Sequence, residues 1–186
     1  MTTAPHLDLA EPVSETDHVA GPAAAPVTLV EYGDFECLHC GRAYPILREL
    51  RGELPETLRL VFRHFPMGWE HPHAAGAAKA AEAAARQGRF WAMHDELYEH
   101  QRLLDPDALR AHAEVIGLDL AQFDRDIHDP AVAARVQRDL ASGRSSGVRG
   151  TPTFFLNGVR YGDPWDLDAL RAAIAGAAAE ARGGTP

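Results

Sequence analysis

Glu31-Tyr32-Gly33-Asp34-Phe35-Glu36-Cys37-Leu38-His39-Cys40-Gly41 holds both cysteines of the chain, three residues apart, where a strand-like run gives way to a helix-like one. A thiol just ahead of a helix meets unpaired backbone N–H groups and the positive end of the helix dipole, and both favour thiolate over thiol. A second thiol one turn further on can close a disulfide with it. This placement predicts redox chemistry. Cys-x-x-Cys also serves as half of a zinc site, but structural zinc takes four protein ligands and the sequence has no second pair. His71 and His73 come nearest to completing one; they flank Pro72 where a helix begins, and capping or a solvated surface explains them.

Val27 to Tyr32 is too apolar for a half-exposed edge and predicts a buried central strand. Alternation puts Glu31 on the face of Val27 and Leu29, where a carboxylate is costly to desolvate without a partner or a raised pKa. Beyond the motif, Cys40, Ala43, Tyr44, Leu47 and Leu50 recur at helical spacing. Cys40 therefore lies on the buried face and Cys37, at the mouth of the helix, is the more exposed thiol. Pro45 removes one backbone donor and predicts a kink.

Further out, Leu58 to Phe65 predicts a second strand, and Pro66, Gly68 and Pro72 mark a change of regime. From His73 to about Gly143 the pattern is helical, with Asp105-Pro106 and Asp129-Pro130 as cap-plus-first-turn starts. A segment of about 70 residues between strands is too long for a loop and predicts a helical insertion. Thr153 to Leu156, Asn157-Gly158 and Val159 to Tyr161 spell a hairpin with a type I′ turn. Asp166 caps a final helix whose stripe is Leu167, Leu170, Ala173, Ile174 and Ala177. Residues 1 to 25, acidic and punctuated by Pro5, Pro12 and Pro22, predict a mobile arm or a strap, so ordered structure starts at Val27.

The 186 residues suit one soluble protein with a real core. A net charge of −9 argues against a nucleic-acid partner. No run is apolar enough for a membrane span, and Met1 to Gly21 lacks the basic and apolar regions of a secretory leader. The reading is a cytoplasmic chain, with a trimmed exported form left open. In the cytoplasm structural disulfides are rare, so a lone cysteine pair is catalytic, sensory or metal-binding.

The order of these elements resembles the bacterial DsbA-like branch of the thioredoxin superfamily. The likeness is carried by residues 31–41, by Arg63-His64-Phe65-Pro66, by Phe90-Trp91-Ala92-Met93-His94-Asp95, and by Gly147-Val148-Arg149-Gly150-Thr151-Pro152-Thr153-Phe154-Phe155. It implies an α/β chain, a thioredoxin fold with an inserted helical subdomain. The core is then 26–66 and 147–182, the insertion 67–146, and 1–25 a flexible acidic arm. It implies a thiol-disulfide oxidoreductase with Cys37 as attacking thiolate and Cys40 as resolving thiol. His39 matches the position beside the second cysteine where DsbA has histidine, and there it stabilises the Cys37 thiolate. Thr151-Pro152 matches the cis-proline loop, where Thr151 offers its backbone to a substrate strand. Glu31 matches a buried acid that exchanges the Cys40 proton, with a salt bridge as its alternative. Leu38 departs from the family, which usually has proline there. That puts the direction of reaction in question, since thioredoxin and DsbA differ by about 150 mV on one architecture.

No metal or organic cofactor is implied. The expected partners are thiol or disulfide proteins or peptides and a redox recycling partner. Two alternatives stand beside this reading: a redox-sensing module that binds without turnover, of a kind attached to membrane transporters, and a zinc-binding domain.

Overall fold

The computed structural model describes residues 8–183. Backbone proximity divides the chain into two compact units, one of Met1–Tyr32, Ala43–Arg63 and Ser142–Pro186, the other of Gly33–Arg42 and His64–Ala141. In chain order the elements are β1 (His18–Ala20), β2 (Val27–Gly33), α1 (Leu38–Glu53), β3 (Leu58–His64), α2 (Ala74–Ala85), α3 (Phe90–Glu99), α4 (Pro106–Val115), α5 (Leu120–Asp126), α6 (Pro130–Ser145), β4 (Thr153–Leu156), β5 (Val159–Tyr161) and α7 (Leu167–Gly183).

The strands form one sheet in the order β1-β3-β2-β4-β5. Strand β2 is central, as its largely apolar run requires, and pairs antiparallel with β4 in a register that sets Glu31 opposite Phe154 and Tyr32 opposite Thr153. The β4–β5 hairpin turns on Asn157 and Gly158, both at positive φ (48° and 86°), the backbone a type I′ turn demands. Asn157 also ties the turn to β2, accepting from the Thr28 N–H and donating its own to the Thr28 carbonyl, both at 2.8 Å. The Thr151–Pro152 peptide ahead of β4 is cis.

Order begins earlier than Val27. Strand β1 pairs antiparallel with β3, His18 opposite Phe62 and Ala20 opposite Leu60. The cause is Arg63, whose buried guanidinium reaches back to this segment. Its Nε and Nη2 donate to the Asp17 carboxylate at 2.8 and 3.0 Å, and Nη1 and Nη2 donate to the carbonyls of Glu11 and Pro12. Nη1 also donates to the Tyr32 hydroxyl at 3.0 Å. Burial opposes the charge on Arg63, but the hydrogen bonds to Asp17 and Tyr32 outweigh it and its pKa rises. The arm expected over 1–25 thus contains a clamped strap over residues 11–17; residues 1–7 lie outside the described residues.

Helix α7 buries Leu170, Ile174 and Ala178, and Asp166 caps it by accepting from the Ala169 N–H at 3.0 Å. In the second unit Asp105 caps α4, accepting from the N–H groups of Asp107 and Ala108 with Pro106 in the first turn. The alanine run of α2 is almost wholly buried. Among its alanines lies Glu82, which accepts from His64 Nε2 at 2.8 Å. Asp139 meets the His64 N–H at 3.1 Å and pairs with Arg135. Buried charges are tolerated here because each has a hydrogen-bonded partner.

Candidate active site

The motif folds as a turn followed by a helix. Asp34 starts the turn: its carbonyl accepts from the Cys37 N–H at 3.2 Å and its Oδ1 from the Glu36 N–H at 2.8 Å. This is the local side-chain bonding that lets aspartate redirect a chain leaving a strand. Cys37 then stands immediately before Leu38, the first residue of α1, and its carbonyl accepts the first helical bond, from Gly41 at 3.0 Å. Cys40 follows one turn later. The two are not joined by a disulfide.

Their exposure differs less than the sequence suggests. Cys40 is fully buried, but Cys37 is only 3% exposed, against 70% for Leu38, which lies between them in the sequence. The turn is packed from its own unit. Phe35 sits 4.9 Å from the Tyr98 ring, centre to centre, with His64 and His94 at its edge. Gln101 Nε2 donates to the carbonyls of Phe35 at 2.7 Å and Cys37 at 3.0 Å. A Cβ at position 41 would run into the Gln101 amide, so the glycine after Cys40 is what admits it. These contacts account for residues 33–42 grouping with the helices of the second unit.

A polar cluster completes the turn. The buried Asp34 accepts at Oδ2 from the Met67 N–H and from His71 Nδ1, both at 2.8 Å. Glu36 accepts from the His73 N–H at 2.7 Å. Burial alone would lower the His71 pKa, but the hydrogen bond to Asp34 and the charges of Asp34, Cys37 and Glu36 prevail and raise it. The charge of Cys37 is among those that raise the His71 pKa, so a protonated His71 and a Cys37 thiolate favour one another. The sequence reading gave His71 and His73 to capping or surface; His73 precedes α2 but makes no side-chain cap bond, and His71 is bound to the buried Asp34.

His39 is exposed in the first turn of α1. Cys37, His39 and Cys40 are thus together in the second unit. Glu31, buried on β2, and Thr151-Pro152, ahead of β4, belong to the first. Asp34 and Gln101 were not singled out from sequence, and His71 was weighed only as a zinc ligand, although Asp34-x-Glu36 before a helix and the glycine after Cys40 were visible signals. Of the zinc alternative, the metal-capable cluster lying wholly in the second unit, Glu96 with His100 and His112, includes neither cysteine.

The sequence profile described as Thioredoxin matches residues 13–175. The chain belongs to the thioredoxin family. Among solved structures, this family member superposes on a thioredoxin-like oxidoreductase from Silicibacter pomeroyi with a TM-score of 0.78 and 29% identity, covering 92% of this chain and 95% of that one. It also superposes on α-DsbA1 of Wolbachia pipientis with a TM-score of 0.81 at 19% identity, covering 91% and 94%; this likeness speaks for the DsbA-like thioredoxin fold. A curated relative, Na(+)/H(+) antiporter NhaA 3 of Salinispora tropica, is 49% identical over 177 residues, which is 95% of this chain but 27% of the relative. The chain therefore spans about a quarter of the length of the curated relatives it matches. Among the described residues, no helix is long and apolar enough to cross a membrane.

Proposed function

We propose that this thioredoxin-family chain exchanges a disulfide between Cys37-Cys40 and protein or peptide substrates. The observation that carries the reading is Cys37 at the head of α1 with the raised-pKa His71 held on Asp34 beside it. In the reducing direction, the Cys37 thiolate attacks one sulfur of a substrate disulfide and the other leaves as a thiolate. The Cys40 thiol gives up its proton and attacks Cys37 Sγ. The second substrate sulfur departs, and two electrons have passed from the cysteine pair to the substrate. Oxidation is the same sequence reversed.

Glu31 takes and returns the Cys40 proton in this scheme, and His39 supports the Cys37 thiolate. Thr151, ahead of Pro152, pairs its backbone with the substrate strand. These three roles rest on the match to DsbA-like sequences. The exposed Leu38 and Trp69, at 70% and 62%, offer apolar contacts suited to an unfolded or extended peptide. Repeated reduction or oxidation of a disulfide-bonded peptide, with a recycling thiol or disulfide in excess, tests the reading; a single turnover that stops would overturn it.

A second reading is favoured by the near-complete match to a segment of NhaA antiporters. Here the Cys37-Cys40 pair is a redox-set switch acting on a cation antiporter, and turnover is not needed. Sodium-proton exchange that responds to the redox state of the pair, in a chain without peptide turnover, would select it.

A further inference from the structure

Glu96 and His100 lie one turn apart at the end of α3, and His112 faces them from α4. Glu96 Oε1 is 2.9 Å from His112 Nδ1 and 3.2 Å from His100 Nδ1. The two imidazole rings are 5.3 Å apart and inclined by 33°. All three ligand atoms fall within 4.8 Å of one another. Bonds of about 2.0 to 2.1 Å around a tetrahedral zinc put ligand atoms about 3.3 Å apart. Both separations from Glu96 are thus near that value before any metal arrives.

The hydrogen bonding of His112 points the same way. Its Nε2 is 2.9 Å from the Leu103 carbonyl, which can only accept, so this nitrogen carries a proton. In the neutral ring Nδ1 then holds a lone pair, and that lone pair faces a carboxylate oxygen. A lone pair and a carboxylate oxygen 2.9 Å apart are placed to share one cation. A ring fixed through its far N–H on a backbone carbonyl is how proteins orient a metal-binding histidine. His112 is buried and set; His100, 44% exposed on its side chain, donates Nδ1 to the Glu96 carbonyl and has room to turn.

We infer that Glu96, His100 and His112 form a binding site for a zinc-class divalent cation, separate from the cysteine pair. Two imidazoles and one carboxylate suit zinc and its neighbours better than magnesium or calcium, and three protein ligands leave a fourth position for water. Binding takes the place of any proton on a liganding nitrogen, which leaves to solvent. No change of oxidation state is involved.

The test uses the untagged full chain carrying Cys37→Ser and Cys40→Ser, so that thiolates cannot hold the metal. Zinc is titrated in competition with a chromogenic chelator, and cobalt(II) is added separately to read ligand type from its visible spectrum. The expected result is one zinc per chain, a cobalt spectrum without thiolate bands, and affinity at least tenfold weaker in both His100→Ala and His112→Ala. His100 is exposed, so its variant keeps the fold and decides the matter if the His112 variant does not. No saturable binding to the serine chain, or undiminished affinity in His100→Ala, would overturn the site.

Discussion

The side-chain amide of Gln101 donates to the carbonyl oxygen of Cys37 at 3.0 Å, across 64 residues of sequence. The same nitrogen holds Phe35 at 2.7 Å, so one side chain spans the turn that delivers Cys37 to the helix. Glycine at 41 leaves the space in which that amide lies.

A double-mutant cycle follows from this packing. Gly41→Ala in the native background displaces the Gln101 amide and sacrifices its bonds to the turn, at a cost of about 1 to 3 kcal/mol. In a Gln101→Ala background the clash is gone, and alanine should instead stabilise the helix by up to about 1 kcal/mol. Urea denaturation of the four chains reads the change of sign. Equal effects in both backgrounds would mean the amide is not held as described.

His71 predicts a pH dependence. Its folded pKa lies above the ordinary 6.5, so its contribution to stability is complete below that value and is lost as pH rises through the folded pKa. His71→Gln should flatten the stability profile in that window. The same variant should move the pH midpoint of Cys37 alkylation upward, because the neighbouring cation is gone. Alkylation rates unchanged across pH would separate His71 from the thiol.

Trapping distinguishes the two cysteines. Cys40→Ala should accumulate mixed disulfides through Cys37 on non-reducing gels, and Cys37→Ala should not. Equal trapping would erase the assignment of attacking and resolving thiols.

Glu31→Gln separates a proton carrier from a structural carboxylate. If Glu31 takes the Cys40 proton, the resolving step slows while Cys37 alkylation and folding stay close to native. If it balances a buried cation, the variant loses on the order of 3 to 5 kcal/mol with resolution unaffected. Single-turnover exchange and denaturation on the same protein tell them apart.

What could be read from the sequence was what local chemistry dictates. The change from a continuous apolar run at Val27 to helical spacing from Cys40 marks β2 and α1, and Asn157-Gly158, Asp105-Pro106 and Asp166 each carry their own turn or cap geometry. The candidate site was legible at Cys37 and Cys40 for the same reason. Asp34 and His71 were not, because they meet over 37 residues and each looks like an ordinary polar residue of a loop. The near-complete burial of Cys37 was missed on the same grounds, since the groups that pack the turn, His94, Tyr98 and Gln101, come from α3 and the residues just after it. Strand β1 is three residues long, too short to show alternation, and its order depends on a guanidinium more than 40 residues away.

That guanidinium sets the smallest piece of chain that can stand alone. A boundary drawn at Val27, where the sequence first looks ordered, would strip Arg63 of the Asp17 carboxylate and of the Glu11 and Pro12 carbonyls, leaving a buried cation to Tyr32 alone. The strap is therefore part of the autonomous folding unit. Any excision of this module from a longer polypeptide, or grafting of it onto another, has to cut upstream of Glu11.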